Sequence, residues 1–94
     1  MDADDNSIFV GEKPFMNYVT GVVIQFTTKN ASEVVIRARG KFISRAVDIA
    51  QVVINRFMQG QVRIKDIKVA SEEFKNKEGK DVRVSTMDIV LEKM

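Results

Sequence analysis

The strand-to-helix junction of this chain reads Arg37-Ala38-Arg39-Gly40-Lys41-Phe42-Ile43-Ser44-Arg45-Ala46-Val47. Before it, Glu33-Val34-Val35-Ile36-Arg37-Ala38 is a short apolar run typical of a strand, and after it apolar residues recur at helical spacing from about Phe42 to Met58. Four cations surround Gly40. Backbone N–H groups in a turn before a helix attract anions, and glycine permits a close approach or a positive φ. The junction therefore predicts a phosphate-binding turn, although a plain glycine turn with solvated cations has the same pattern.

The elements on either side of this junction can be predicted in more detail. The continuous apolar centre of the strand indicates burial on both faces or a central position in a sheet. The apolar stripe of the helix comprises Ile43, Ala46, Val47, Ala50, Val53, Ile54 and Phe57. Gln59-Gly60-Gln61 ends the helix, because glycine favours a helix terminus.

Upstream, Ser7-Ile8-Phe9-Val10 is a short strand ended by Gly11. Pro14 suits the first position of a helix, where a missing N–H costs nothing. The stripe of this first helix is Phe15, Tyr18, Val19, Val22, Val23 and Phe26, and the helix is expected to end near Lys29-Asn30. Gly21 weakens the helix, so another element should pack closely against it.

The last third of the chain predicts a long hairpin. Apolar and polar residues alternate in both of its strands, and the phase slips between Ile64 and Ile67 and again between Val84 and Met87. Matching slips predict a bulge or a sharp twist in both paired strands. The tip, residues 74–81, is polar and charged.

The resulting element order is β-α-β-α-β-β. It predicts a two-layer α+β domain with a mixed four-stranded sheet, two helices on one face and a long hairpin arm formed by the third and fourth strands. Residues 7–94 are expected to form this single domain, and the acidic residues 1–6 are expected to be disordered.

Composition excludes several classes of function. The 94 residues contain no Cys and no His, which removes disulfides, the commonest zinc ligands and the usual nucleophile–base pairs. The carboxylates are scattered, and no phosphate-loop or dinucleotide motif occurs. We therefore expect no enzyme activity, no cofactor, no metal and no small-molecule substrate. No apolar run approaches the roughly 20 residues that span a bilayer, so no membrane is expected, and the acidic start argues against a secretory signal.

Charge is distributed unevenly along the chain. The net charge is +2, but residues 13–94 carry all fifteen Lys and Arg residues and nine Asp and Glu residues, a net charge of +6. A basic body favours an anionic partner such as nucleic acid.

Two further groups of cations are candidates for phosphate contact. Lys13 precedes the first helix, whose N-terminus should lie at the same end of the sheet as that of the second helix, so that both turns form one basic surface. Arg45 is expected to join this surface, and Asp48 lies at salt-bridge spacing from it. The second group comprises Lys75, Lys77, Lys80 and Arg83 of the hairpin, which could follow a DNA groove. Alternatively, these cations only protect an exposed strand edge, because neighbouring acids cancel their charge.

The motifs in this order resemble the Alba family of small archaeal chromatin proteins. They are Gly11-x-Lys13-Pro14-x-Met16-Asn17-Tyr18-Val19, Arg39-Gly40-Lys41-x-Ile43-Ser44-Arg45-Ala46-Val47-Asp48, Asn55-Arg56-Phe57 and Arg83-Val84-Ser85-Thr86. The resemblance implies a fold similar to the C-terminal domain of bacterial translation initiation factor three. It also implies a homodimer that binds double-stranded DNA without base readout, with its arms along the minor groove, in the cytoplasm and on the chromosome.

The resemblance also assigns roles to residues. The nucleic-acid-binding set comprises Lys13, Asn17, Arg37, Arg39, Gly40, Lys41, Arg45, Lys75, Lys77, Lys80 and Arg83. Asn55, Arg56 and Phe57 would serve dimer or dimer–dimer contacts along DNA. Family members commonly carry two lysines before the proline, and the first is reversibly acetylated in some. Here that position is Glu12, which leaves Lys13 as the possible modification site.

Glu12 and Ile54 each stand where family members usually have a basic residue. These two departures predict nucleic-acid binding that is weaker or more salt-sensitive than that of a strongly basic member. The leading hypothesis is a chromatin protein that coats or compacts double-stranded DNA. RNA binding, by the protein itself or as a ribonucleoprotein component, is the first alternative. No aromatic stacking platform is evident in the sequence, which favours duplex or structured RNA over single strands. A protein-assembly module is the second alternative.

Overall fold

A computed structural model describes residues 6–94, so the predicted disorder of residues 1–6 concerns positions that, except for Asn6, lie outside the described part. The elements are β1 (Ser7–Phe9), α1 (Phe15–Thr27), β2 (Glu33–Arg39), α2 (Ile43–Val52), β3 (Val62–Lys75) and β4 (Asp81–Lys93). The strands form one mixed sheet in the order β1-β2-β4-β3. Strand β1 runs parallel to β2, while β4 runs antiparallel to both β2 and β3. The predicted α+β class and element order are confirmed.

Strand β2 divides the sheet into two faces. Val34, Ile36 and Ala38 are buried in the core with α1 and α2. Residues 35, 37 and 39 alternate with them and are half-buried or exposed on the opposite face, called here the helix-free face because neither α1 nor α2 covers it. The predicted central position of β2 is confirmed, but burial on both faces is wrong, since only one face of the sheet is covered.

Helix α1 packs closely against β1 at Gly21, which has no side chain to keep the two elements apart. A methyl group at Gly21 would sit 3.5 Å from Cδ1 of Ile8, so the expected close packing is provided by β1. Pro14 is the N-cap residue rather than the first helical residue. Tyr18, Val19, Val22 and Phe26 of the predicted stripe are buried.

The second helix is less regular than the sequence predicts. A 3-10 turn (Gly40–Phe42) precedes α2, and a π-helical turn (Val53–Phe57) follows it. Ile49, which the predicted stripe omits, is fully buried, whereas Val47 and Phe57 are 40% and 49% exposed. The buried stripe is centred on residues 46, 49, 50 and 53, so Val47 falls beside it. A π-helical turn also holds one residue more than an α-turn, and its last residue, Phe57, is exposed while the next residue, Met58, is buried.

The hairpin confirms one predicted irregularity and not the other. The register shifts between Ile64 and Asp66 in β3, as the sequence indicates, but β4 pairs without interruption. The phase change in β4 has a different cause: Val84 lies on the helix-free face, whereas Ile89 and Leu91 are buried in the core. Residues 71–85 extend beyond β2, so that in this segment β3 and β4 pair only with each other. This segment is called the arm. It gives the molecule its 46 Å length.

Candidate nucleic-acid interface

Two turns at one end of the sheet adjoin each other, residues 10–14 and residues 39–42, and together they are called the basic turns. They adjoin because β1 and β2 are parallel and each is followed by a helical segment. Nη2 of Arg45 donates a hydrogen bond to the carbonyl oxygen of Lys13 at 2.7 Å. Nζ of Lys41 lies 3.8 Å from a carboxylate oxygen of Glu12. The predicted common end for both turns is confirmed.

The hydroxyl of Tyr18 organises the first basic turn. It accepts hydrogen bonds from the backbone N–H groups of Gly11 and Lys13, at 2.9 and 3.0 Å. These two N–H groups are therefore already engaged, so Lys13 would meet a phosphate with its exposed side chain. In the sequence, Tyr18 belongs to the apolar stripe and to the first family motif, and neither pattern predicts a role for its hydroxyl. The available signal was chemical, since a buried tyrosine usually finds a partner for its hydroxyl.

Arg45 connects the two basic turns rather than pairing along its own helix. Besides its bond to the Lys13 carbonyl, its guanidinium lies over the Tyr18 ring, 5.7 Å from the centroid. No Arg45–Asp48 ion pair forms within residues 6–94, so the predicted local salt bridge is wrong. The carbonyl of Lys13 is a fixed acceptor, whereas an exposed pair on one helix contributes little.

Gly40 adopts the positive φ that the sequence allows, at +53°. A methyl group here would also lie 3.1 Å from Cγ2 of Val84, so the turn packs tightly against the sheet. Next to it, Nη2 of Arg39 lies 2.7 Å from Glu72, with both side chains more than half exposed. Exposed pairs of this kind are weak and leave the cation able to change partner.

Arg37 is held by the sheet on its helix-free face. Its Nη1 lies 2.8 Å from Asp88, and its Nε donates to Oγ of Ser7 at 3.0 Å. The guanidinium also stands over the ring of Phe9, 6.0 Å from the centroid. Of the predicted cations at the junction, Arg37 thus has the most internal partners.

The arm carries cations that have acidic neighbours across the strands. Lys75 lies 2.9 Å from Asp81, and Arg83 pairs with Glu73. Lys77 and Lys80, at the tip, form no ion pair within residues 6–94. Residues 71–85 contain four cations and four acids, whereas residues 11–17 and 37–45 together contain five cations and one acid. The basic turns are therefore the more electropositive region.

The predicted assembly residues lie on the π-helical turn and are exposed. Asn55 donates a side-chain bond to Gln51, and Gln59 donates to the backbone oxygen of Asn55. Phe57 is exposed, and Arg56 has no acidic partner within the described residues. Asn17 is likewise exposed, at the start of α1. These positions are accessible, and their roles remain predictions.

Within residues 6–94, no group of three His, Cys, Asp or Glu side chains could hold a metal ion. No helix of the described residues is long and apolar enough to span a bilayer.

The sequence did not predict two groups of exposed apolar residues. Ile67 and Val69 of β3 are exposed, and Phe9 and Phe74 are exposed on the helix-free face. Alternation alone could not reveal them, because it does not indicate which face a helix covers.

The family model described as Alba matches residues 6–71 of the chain. A protein of Methanothrix thermoacetophila named DNA/RNA-binding protein Alba is 50% identical over 91 residues, which are 97% of this chain and 99% of that one. A protein of the same name from Methanococcus maripaludis is 47% identical over 87 residues, covering 93% and 97% of the two chains.

Solved structures agree with these matches. Alba from Thermoplasma volcanium superposes with a TM-score of 0.84 at 41% identity, covering 93% of this chain and 99% of that one. ALBA1 from Trypanosoma brucei gives a TM-score of 0.72 at 22% identity, covering 98% of this chain and 72% of that one, a likeness of fold alone.

Proposed function

This chain belongs to the Alba family, and on that premise we propose that it is a non-enzymatic protein that coats and compacts double-stranded DNA as a homodimer. The observation that carries the proposal is the junction of the two basic turns, which the Arg45–Lys13 bond joins into one cationic surface. The relatives named as DNA/RNA-binding proteins support a nucleic-acid partner.

Phosphates are bound by Lys13, Arg39 and Lys41. The acidic partners of Arg39 and Lys41 are Glu72 and Glu12, in exposed pairs that contribute little free energy. A DNA phosphate can replace these carboxylates, and Arg39 can then donate two parallel hydrogen bonds to it. Gly40, Arg45 and Tyr18 act indirectly, because they position the turns that carry the cations.

The arm reaches along the minor groove beyond the body. Lys77 and Lys80, which form no ion pair within the described residues, are its most available phosphate contacts, whereas Lys75 and Arg83 would first have to exchange their exposed pairs with Asp81 and Glu73. Because the arm is neutral as a whole, it adds less electrostatic affinity than the basic turns and serves mainly to orient the protein on the duplex.

Dimerisation is supported by apolar surface that one chain leaves open. Strand β3 is an edge of the sheet, and Val69 on it is 68% exposed. Val47 of α2 is also exposed. A second copy would cover such residues through a two-fold interface, while Phe57 on the π-helical turn would join neighbouring dimers along DNA. The proposed location is the chromosome in the cytoplasm.

Binding across a salt series tests the mechanism. The purified protein is titrated into a mixed-sequence 30-base-pair DNA and into its RNA counterpart. Each phosphate neutralised should contribute about −0.9 to the slope of log affinity against log salt concentration. A steep slope on DNA supports the proposal, whereas a flat slope contradicts phosphate-driven coating. Tighter binding to the RNA duplex would favour the RNA-binding function that the relatives' names also include.

A further inference from the structure

The helix-free face exposes two phenylalanines, each beside an arginine. Phe9 of β1 is 67% exposed and Phe74 of β3 is 46% exposed. Their guanidinium neighbours are Arg37, 6.0 Å from the Phe9 ring centroid, and Arg39, 5.9 Å from the Phe74 ring centroid. Both rings line one groove of about 730 Å³, whose floor includes Val84 and Thr86 of β4.

The groove is chemically unlike the covered face of the sheet. Its lining contains four cations, Arg37, Arg39, Lys41 and Arg83, and two carboxylates, Glu72 and Asp88. One end is formed by Gly40 and Lys41, so the groove is continuous with the basic turns. The cations of the lining form ion pairs, of which those of Arg39, Lys41 and Arg83 are exposed and therefore weak. A surface that combines exposed aromatic rings, guanidinium groups over those rings and weakly paired cations is complementary to unpaired bases on a phosphate backbone.

We propose that this groove binds single-stranded nucleic acid, with unpaired bases stacked on Phe9 and Phe74 and the backbone leading to Arg39 and Lys41. The site deepens the proposed function, because it rests on phosphate binding by the basic turns. A paired base inside a duplex presents no open face to a phenylalanine, so the groove selects unpaired nucleotides. Open sheet faces with exposed aromatics bind single-stranded RNA in the same manner.

Two substitutions on the groove and one control test this site. Phe9→Ala and Phe74→Ala are compared with Ile24→Ala, an exposed apolar position on α1. The ligands are a 12-nucleotide oligouridine, a 12-nucleotide oligothymidine and the 30-base-pair duplex. Loss of one stacked base should weaken single-strand binding roughly 5- to 150-fold. Duplex affinity should stay unchanged in Phe9→Ala, and all affinities should stay unchanged in Ile24→Ala. Phe74→Ala is read on the single strands alone, because Phe74 belongs to the arm and packs against Arg39.

The salt dependence separates stacking from charge. Phe9→Ala should lower single-strand affinity without changing the slope against salt, because a stacked base releases no counterions. Arg39→Gln should lower both the affinity and the steepness of the slope. The Phe9→Tyr variant keeps an aromatic ring and should restore binding.

A spectroscopic variant gives a direct readout. The chain contains no tryptophan, so Phe9→Trp introduces a single reporter at the groove. Oligouridine or oligothymidine should quench its fluorescence by stacking, and the duplex should not. Relative quenching by the two oligonucleotides distinguishes an RNA strand from a DNA strand as the preferred ligand.

Several outcomes overturn the proposal. Unchanged single-strand affinity in both alanine variants does so, as does an equal loss of single-strand and duplex affinity in Phe9→Ala. A shift of Phe9→Ala from dimer to monomer in sedimentation would show that a second copy covers the groove.

The unsubstituted protein separates this proposal from the proposed function. Duplex binding without any single-strand binding refutes the groove site alone. No binding of either ligand by the unsubstituted protein refutes the proposed function as well, and single-strand binding without duplex binding refutes only the DNA-coating role.

Discussion

The basic turns and the arm both carry clustered lysines and arginines, yet their surroundings differ. In the turns, one acid accompanies five cations over residues 11–17 and 37–45, and the backbone is anchored by Tyr18 and Arg45. In the arm, four acids match four cations, and Lys75 and Arg83 pair across the strands. Cation content alone therefore does not measure how strongly a region attracts phosphate.

Support from neighbouring elements also separates the two regions. Gly40 packs against Val84, whereas Gly79 at the arm tip has no atom within 4 Å of an added methyl group. The turns are held by contacts from several elements, whereas the arm depends on the pairing of β3 with β4 alone. Affinity should depend mainly on the turns.

The largest effect is expected from reversing charge in the turns. Arg39→Glu with Lys41→Glu removes two phosphate contacts and should lessen the salt slope by about 1.8. At 0.1 M salt this corresponds to a loss of roughly 60-fold or more in DNA affinity, measured by fluorescence anisotropy. The matched arm variant, Lys77→Glu with Lys80→Glu, should lose distinctly less. Equal losses would remove the distinction between the two regions.

Glycine substitutions compare the support of the two regions directly. Gly40→Ala and Gly79→Ala both place a side chain at positive φ, which costs about 1–2 kcal/mol of unfolding free energy. Only Gly40→Ala adds a close contact, with a Val84 methyl group at 3.1 Å. Urea denaturation should show the larger loss for Gly40→Ala, and only this variant should also weaken DNA binding. A larger loss for Gly79→Ala would contradict the tight packing of the turn.

Removing the one acid from the turns should increase the contrast with the arm. Glu12→Lys replaces repulsion by attraction at a position 3.8 Å from Lys41. We expect a steeper salt slope, by about 0.9, and roughly 8-fold tighter DNA binding at 0.1 M salt. Glu78→Lys at the arm tip is the control and should change affinity less. Unchanged binding by Glu12→Lys would mean that position 12 does not face phosphate.

The smallest effect concerns Lys65, at the register shift of β3 within the body of the sheet. A hydrogen bond to Glu33, with the attraction of that carboxylate, raises the pKa of Lys65 above its ordinary value of 10.5. Protonated Lys65 is therefore favoured in the folded state. Its contribution to stability is present below pH 10.5 and is lost as the pH rises through the higher folded pKa.

Thermal unfolding of Lys65→Met and the unsubstituted protein at pH 9 and pH 11.5 measures this contribution. Lys65→Met should unfold at a slightly lower temperature at pH 9, and the gap should narrow at pH 11.5. The gap should be small because the pair is exposed. A gap that widens with pH would contradict the sign of the pKa shift.

The sequence predicts where the basic turns and the arm lie, but it does not predict which acidic residues pair with their cations. The strand-to-helix transition at Gly40 and the common end of both turns follow from hydrophobic periodicity and element order. The partners of the cations do not, because Arg39–Glu72 and Arg37–Asp88 join residues 33 and 51 positions apart. The exposure of Phe9 and Phe74 was missed for the same reason, since it depends on which face the helices cover.

What the amino-acid sequence determined by itself was the element order, the positions of the turns and an irregularity of β3 between Ile64 and Ile67, because periodicity and turn chemistry are local properties. The tertiary structure alone decided that Tyr18 holds the first turn, that Arg45 joins it to the second, and that a π-helical turn directs Phe57 outward. It also decided that β4 pairs regularly, with Val84 and Ile89 on opposite faces. Each of these outcomes depends on long-range packing, in which several elements compete for one buried face.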